Sequence, residues 1–446
     1  MPGPADASVE TMLLKVLIQL IVIIAASRIA GVAFRKLGQP QVCGEVAAGL
    51  ILGPSLLGKL APGFFSSVFS PATGPVLNIL SQLGLILLMF LVGLEFDFAH
   101  LKTYGRTAAA TSFAGIALPF GMGILLAHVI HPWVAPETNK IGFALLLATA
   151  LAITAIPVLS RIMMELNLQR TSIGSITITA AAIDDVAGWT ILTIATAVVR
   201  SQFRISHAAA TIAEAAAFCA VMLFAVRPLL RKWIQHTRRE DGSEPSLTTI
   251  TVLMVLVLGA AAITNLIGIF SIFGAFLTGT LLHDEREFAH AIALRLRDFT
   301  TAFFLPIFFT YTGLRTDIGS MSGVLLWAVA GLIIVTAIVG KLGGCALAAR
   351  VAGGLSWRDS VTIGILMNTR GLMELIVINL GYELHVFPRS VFFMLVLMTL
   401  VTTYMTTPLV RRAVRHTKLE QLVQESAFIL GHREHRKAEA TRVQGG

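Results

Sequence analysis

Long apolar runs follow one another along nearly the whole chain, each about as long as a bilayer is thick. A helix needs about 20 apolar residues to cross the hydrocarbon core. Thirteen runs meet or approach that length: 12–34, 41–58, 75–95, 107–131, 141–164, 172–199, 206–230, 247–266, 268–284, 299–315, 322–349, 359–382 and 388–410. They predict an all-α polytopic membrane protein. The second and ninth runs are short and Gly-rich. The break between the eighth and ninth, near Asn265 and Gly268, is the weakest boundary, so the expectation is twelve or thirteen helices.

Composition agrees. Only 13% of the 446 residues are charged, against about 25% in soluble domains. Mean hydropathy is +0.80. Most of the chain therefore has no water to face, which excludes a soluble protein and a single anchor with a soluble head. The net charge of +9 would suggest nucleic acid in a soluble protein. Here the basic residues lie between apolar runs, where they report topology. Cys43, Cys219 and Cys345 fall inside apolar runs without metal-ligand spacing and read as small buried hydrophobes. Residues 1–11 lack a signal peptide's basic region and cleavage site, so the first run is expected to be retained.

Thirteen crossings with the N-terminus outside place 25 of the 34 Lys and Arg on the cytoplasmic side and seven outside. That bias favours an outside N-terminus and a cytoplasmic C-terminus. Arg231, Lys232, Arg238 and Arg239 mark one cytoplasmic loop most clearly. The remaining two, Lys341 and Arg370, lie inside apolar runs. The basic tail 411–446 is too short for a regulatory nucleotide-binding domain.

The chain also repeats itself. Gly44-Glu-Val-Ala-Ala-Gly49 in run two resembles Gly274-Ala-Phe-Leu-Thr-Gly279 in run nine. Gly93-Leu94-Glu95-Phe96-Asp97 resembles Gly313-Leu314-Arg315-Thr316-Asp317 at the end of run ten. Both pairs join run n to run n+7, and an odd offset inverts the second copy. Inverted repeats are typical of secondary transporters, whose sites lie at discontinuous helices near the midplane. The expected division is a first repeat over 1–205, a link over 206–246, a second repeat over 247–410 and the tail.

Run six carries the chemistry. Asp184 and Asp185 stand near its centre, and one Asp there costs at least about 2.5–3.5 kcal/mol. Neighbours on a helix point about 100° apart. One carboxylate is therefore expected to line a cavity while the other pairs with a neighbouring helix. Oxygen ligands suit hard cations. A desolvated carboxylate beside a like charge can hold a proton or release it to hold a cation. Competition for one site is enough to produce exchange, so Asp184 and Asp185 are the expected ligands of a proton or a monovalent cation.

Lys341 sits between Gly340 and Leu342-Gly343-Gly344. It can snorkel to the surface or form a salt bridge to Asp184 that breaks on protonation or cation entry. Its glycines would allow close helix approach. In run five, Pro157 follows Thr154 and removes a backbone donor. This is either a kink or an unwound stretch that offers carbonyls and the Thr154 hydroxyl to an ion. Run twelve, its counterpart, holds Asn368-Thr369-Arg370-Gly371 and Glu374. Arg370 and Glu374 are spaced i,i+4 and can pair in a structural role. Two broken helices are expected to cross there. Glu45 reads as structural or dimer-related, and His207, His283 and His385 as interfacial.

Thr154-Ala-Ile-Pro157-Val-Leu-Ser-Arg161, Asp184-Asp185, Thr369-Arg370-Gly371-Leu-Met-Glu374 and Val401-Thr-Thr-Tyr-Met-Thr-Thr-Pro408 together resemble the monovalent cation:proton antiporter-2 family. The wording is most similar to the plant CHX-type cation/proton exchangers and their bacterial relatives, over residues 12–412. The resemblance implies a homodimer in the cell membrane with a static dimerisation domain and a mobile core, alternating around Asp185. It implies Na⁺ or K⁺ and protons as substrates, no cofactor and no enzymatic activity. Asp184 matches a position where Asp accompanies electrogenic exchange and Asn electroneutral exchange. The short tail sets the chain apart from glutathione-gated potassium efflux systems.

Three other readings carry less. A sodium-coupled organic solute symporter would bind organic anions, which an adjacent Asp pair disfavours. An intramembrane aspartyl protease needs two Asp on facing helices sharing a proton, and neighbours on one helix cannot face each other. A channel does not need the broken-helix repeat.

Overall fold

The computed structural model describes residues 4–415 and 420, apart from 38, 40, 96–100, 156–157, 160–161, 164–165, 167, 169–170, 201–204, 242–244 and 283–284. Pro157, Arg161, Phe96, Asp97, His283 and most of the basic tail thus lie outside the described residues, as does the side chain of His207.

The described regular structure is helical throughout. In chain order the helices are α1 (Pro4–Lys36), α2 (Gln41–Leu52), α3 (Leu57–Leu60), α4 (Pro62–Val68), α5 (Gly74–Glu95) and α6 (Leu101–Val134). Next come α7 (Lys140–Ala152), α8 (Ser172–Arg200), α9 (Ile205–Val221), α10 (Arg227–Asp241), α11 (Leu247–Ile267) and α12 (Ser271–Thr280). The last are α13 (Arg286–Phe299), α14 (Leu305–Leu314), α15 (Val324–Gly353), α16 (Trp357–Met367), α17 (Leu372–Glu383) and α18 (Arg389–Ala413). Single π-helical turns join α9 to α10 and α13 to α14.

Local chemistry sets many of the ends. Asn139 caps α7 by accepting from the Ile141 and Gly142 amides, and Ser356 caps α16 by accepting from Asp359. The break near Asn265 is sharp. α11 stops at Ile267, and Gly268 turns left-handed at φ 93° while its amide reaches back to the Thr264 and Asn265 carbonyls. A Cβ would be strained there, so runs eight and nine are separate helices.

Among the described residues, nine helices are long and apolar enough to cross a membrane. The other four runs fold into shorter pieces. Run five gives α7, and run nine gives α12. Run ten gives the π-turn Thr300–Phe304 and α14, directly after α13. Run twelve gives α16 and α17.

The chain forms two compact units, and each draws on both halves of the sequence. One holds residues 1–27, 48–98 and 191–315; the other holds 28–47, 99–190 and 316–446. In the first unit, Gly279 of α12 lies so close to α5 that a Cβ would meet the Phe90 carbonyl at 2.3 Å. Gly49 of α2 meets the Thr310 carbonyl of α14 at 2.1 Å in the same way. These contacts are counterparts under the sequence repeat, since run two faces run ten as run nine faces run three. Gly274 against Ala260, and Gly44 against Ala30 in the second unit, form a further matched pair.

The second unit is built on α6 packed along α15. A Cβ on Gly344 would lie 2.7 Å from the Ala114 carbonyl, and one on Gly340 would lie 2.9 Å from Pro119, whereas Gly343 faces open space. Two of the three glycines near Lys341 therefore let the helices touch. A fully buried apolar cluster that includes Leu159, Ala180, Ala181, Cys345, Leu366 and Met367 surrounds the polar residues described next.

Candidate ion-binding site

Two interrupted helices meet in the second unit. α7 ends at Ala152, Ile153 is extended, and Ile153 to Ala155 lie outside any helix. α16 ends at Met367, and α17 starts only at Leu372. The two breaks are tied together. The Ala155 amide donates to the Thr369 carbonyl at 3.2 Å, and the Thr154 hydroxyl lies 2.9 Å from the Met367 carbonyl.

A helix end leaves its last carbonyls without partners. At α7 two buried cations supply them. Arg370 donates through Nη1 to the Ala150 carbonyl at 2.5 Å and through Nη2 to that of Leu151 at 2.6 Å. Lys341 donates to the Ala152 carbonyl at 2.5 Å. Positive charge also complements the C-terminal end of a helix dipole. Thr403 of α18 donates to the Arg370 carbonyl at 2.6 Å, and Thr369 donates to Thr406 at 3.3 Å.

Asp184 and Asp185 lie mid-way along α8, both fully buried. Asp184 gathers three donors. Ser112 of α6 donates to Oδ1 at 2.5 Å, while Thr154 reaches Oδ2 at 2.9 Å and Lys341 forms a hydrogen-bonded ion pair with the same oxygen. A hydroxyl has one proton, so Thr154 serves Asp184 and Met367 in turn. Asp185 differs: neither carboxylate oxygen has a hydrogen-bond partner among the described residues. An ionised carboxylate buried without a partner costs several kcal/mol. Of the two carboxylates, Asp185 is thus the one open to a proton or a cation.

Lys341 does not snorkel: its side chain is completely buried. Arg370 and Glu374 do approach each other, at 3.4 Å. The guanidinium's shorter bonds nevertheless go to α7, so its main contacts are with another helix. Asn368 is 1% exposed, and its side-chain oxygen has no partner among the described residues. Among the described residues, Asp184, Asp185 and Glu374 face Lys341 and Arg370 as the buried counter-charges of this cluster. When these five described residues are all ionised, they carry one net negative charge, which a single proton or monovalent cation would balance.

Thr154, Lys341, Asp184, Thr369 and Arg370 thus meet at one crossing. Ser112, the Ala152 carbonyl and Thr403 complete it and were missed in the sequence. The buried threonines of α18, at 399, 402, 403, 406 and 407, offered a signal, because they recur at helical spacing on one face. Elsewhere, Glu45 is buried and accepts from Gln41 at 2.6 Å. Cys43 and Cys345 are buried free thiols, and Cys219 is half-buried.

The family profile described as "Sodium/hydrogen exchanger, transmembrane" matches residues 20–414. The chain is 40% identical over 402 residues to the Na(+)/H(+) antiporter NhaS4 of Synechocystis, covering 89% of this chain and 97% of that one. It is 37% identical to Cation/H(+) antiporter 18 of Arabidopsis thaliana, covering 91% of this chain, and 32% identical to K(+)/H(+) antiporter 1 of Saccharomyces cerevisiae, covering 88%. It spans 50% and 46% of those two proteins' lengths. The solved structure of the sodium proton antiporter MjNhaP1 from Methanocaldococcus jannaschii aligns over 93% of this chain and 99% of its own, with a TM-score of 0.65 and 15% identity. That likeness shows the fold.

Proposed function

The chain belongs to the sodium/hydrogen exchanger family, and from that premise we propose that it works as a secondary antiporter, exchanging Na⁺ or K⁺ for protons by alternating access at Asp185. The observation that carries this reading is the buried carboxylate of Asp185, which has no partner among the described residues. Such a group cannot stay ionised and alone. A proton and a cation compete for it, and that competition couples their movements in opposite directions.

Asp184 and Lys341 act beside it as a switch. Cation entry draws Asp184 away from Lys341, and Lys341 keeps the Ala152 carbonyl as a partner. Thr154 adds a hydroxyl that can turn from the Met367 carbonyl to the ion. Asn368, Thr369, Arg370 and Glu374 hold the broken helices in place. The matched glycine contacts of runs two, three, nine and ten support an inverted repeat divided at 1–205 and 247–410.

The protein sits in the cell membrane as a homodimer with thirteen crossings, its N-terminus outside and its C-terminus in the cytoplasm. The distribution of Lys and Arg supports that orientation. Its work is transport, with no catalytic residue. The test is Asp185→Asn in everted vesicles, assayed with Na⁺, K⁺ and Li⁺ in turn. Cation-dependent proton efflux should disappear; substantial remaining efflux would sink the assignment.

A further inference from the structure

A second site lies away from the carboxylates. A cavity of about 290 Å³ opens beside Phe34 of α1, Cys43 and Ala47 of α2, and Leu400, Val401 and Tyr404 of α18. Its walls are apolar, and an apolar cavity does not hold water. It lies near the lower bound of about 300 Å³ for small-molecule pockets, so it has room for a single slender chain. Val401 and Tyr404 are 37% and 52% exposed, so the opening is lateral, toward lipid.

The rim is basic. Arg35 and Lys36 are exposed and follow Phe34 directly at the end of α1. Arg412 and Arg415 are exposed at the end of α18, and Arg412 lies about 12 Å along the helix from Tyr404. Glu45 sits between Cys43 and Ala47, but two residues turn a helix by about 200°. Its carboxylate therefore lies on the other side of α2, held by Gln41.

We infer that this cavity binds one acyl chain of an anionic phospholipid, with its headgroup on the Arg35–Lys36 and Arg412–Arg415 rim. Basic residues at the end of a membrane helix attract anionic headgroups, and the apolar slot beside them receives the tail.

The test uses the full chain in nanodiscs of phosphatidylcholine and phosphatidylglycerol with a trace of phosphatidylglycerol bearing a diazirine on one acyl chain. Adducts should concentrate on peptides holding residues 43–47 and 400–405, at least five-fold over those on α11, whose Val255 and Leu266 face outward. Ala47→Phe should reduce them to the α11 level. Leu400→Trp fills the slot from the opposite wall and should do the same, with exchange in vesicles confirming that each variant folds. Arg35→Gln with Lys36→Gln should keep the adducts but lose the preference over a phosphatidylcholine probe. Adducts spread evenly over the helices, or unchanged by both filling variants, would overturn the site. So would equal competition by soluble glycerol phosphate, or crosslinking of residues 400–405 to a second copy of the chain.

Discussion

Asp184 holds three donors while its neighbour Asp185 holds none among the described residues. The 100° turn between adjacent helical positions produces this difference. One carboxylate reaches donors on α6 and α15, and the other reaches none among the described residues. Removing one member of a buried ion pair strands the other charge, at about 3–5 kcal/mol. Asp184→Asn should therefore lower unfolding stability by that amount, and Asp184→Asn with Lys341→Gln should recover most of it. Lys341→Gln alone should cost more than a carboxylate's lost partner, because it also strips the Ala152 carbonyl. Ser112→Ala should cost about 1.5–3 kcal/mol, the range for a hydrogen bond to a charged group, with exchange retained. Thermal unfolding in detergent checks all four variants. The two aspartates and Lys341 were legible in the sequence because a charge inside an apolar run has few harmless explanations. Ser112 was not, because serines are common in membrane helices and nothing local marks one as a ligand.

At the scale of helices, the decisive feature is how the C-terminus of α7 is closed. Three successive carbonyls, from Ala150 to Ala152, take donors from Arg370 and Lys341. The sequence suggested a broken helix and an Arg370–Glu374 pair, but an i,i+4 spacing reveals only partners on the same helix. The stronger partners lie about 220 residues away in sequence. Arg370→Lys should rescue little of the stability lost in Arg370→Leu, because a lysine cannot fork onto two carbonyls as a guanidinium does. Helix approach offers a second comparison. Gly344→Val would push α15 off the Ala114 carbonyl and should abolish exchange, while Gly343→Ala meets nothing within 4 Å and should leave exchange near wild-type. Transport assays with both variants at matched expression decide it.

For the molecule as a whole, the charge on the buried cluster bears on energy coupling. If the Asp184–Lys341 pair opens in each cycle and exchanges a proton besides the one at Asp185, two protons cross for one cation and one net charge moves, worth about 2.3 kcal/mol per 100 mV. An imposed potential should then accelerate wild-type exchange in proteoliposomes. It should leave Asp184→Asn with Lys341→Gln, in which Asp185 remains, indifferent to potential. A wild-type rate that does not respond to potential would show that the pair stays closed.

The sequence by itself determined that the chain is a bundle of membrane helices, that the bundle carries matched motifs in its two halves, and that two adjacent carboxylates, Asp184 and Asp185, stand inside one apolar run. Each of these is written locally, in run length, in repeated glycine spacing or in a charge where lipid permits few. Only the tertiary structure decided which aspartate is paired, where Arg370 spends its donors and which small residues bring α6 and α15 into contact. It also drew each compact unit from both halves of the chain. Those outcomes depend on which faces of distant helices meet, and a hydrogen bond between residues 150 and 370 leaves no trace in the spacing of either.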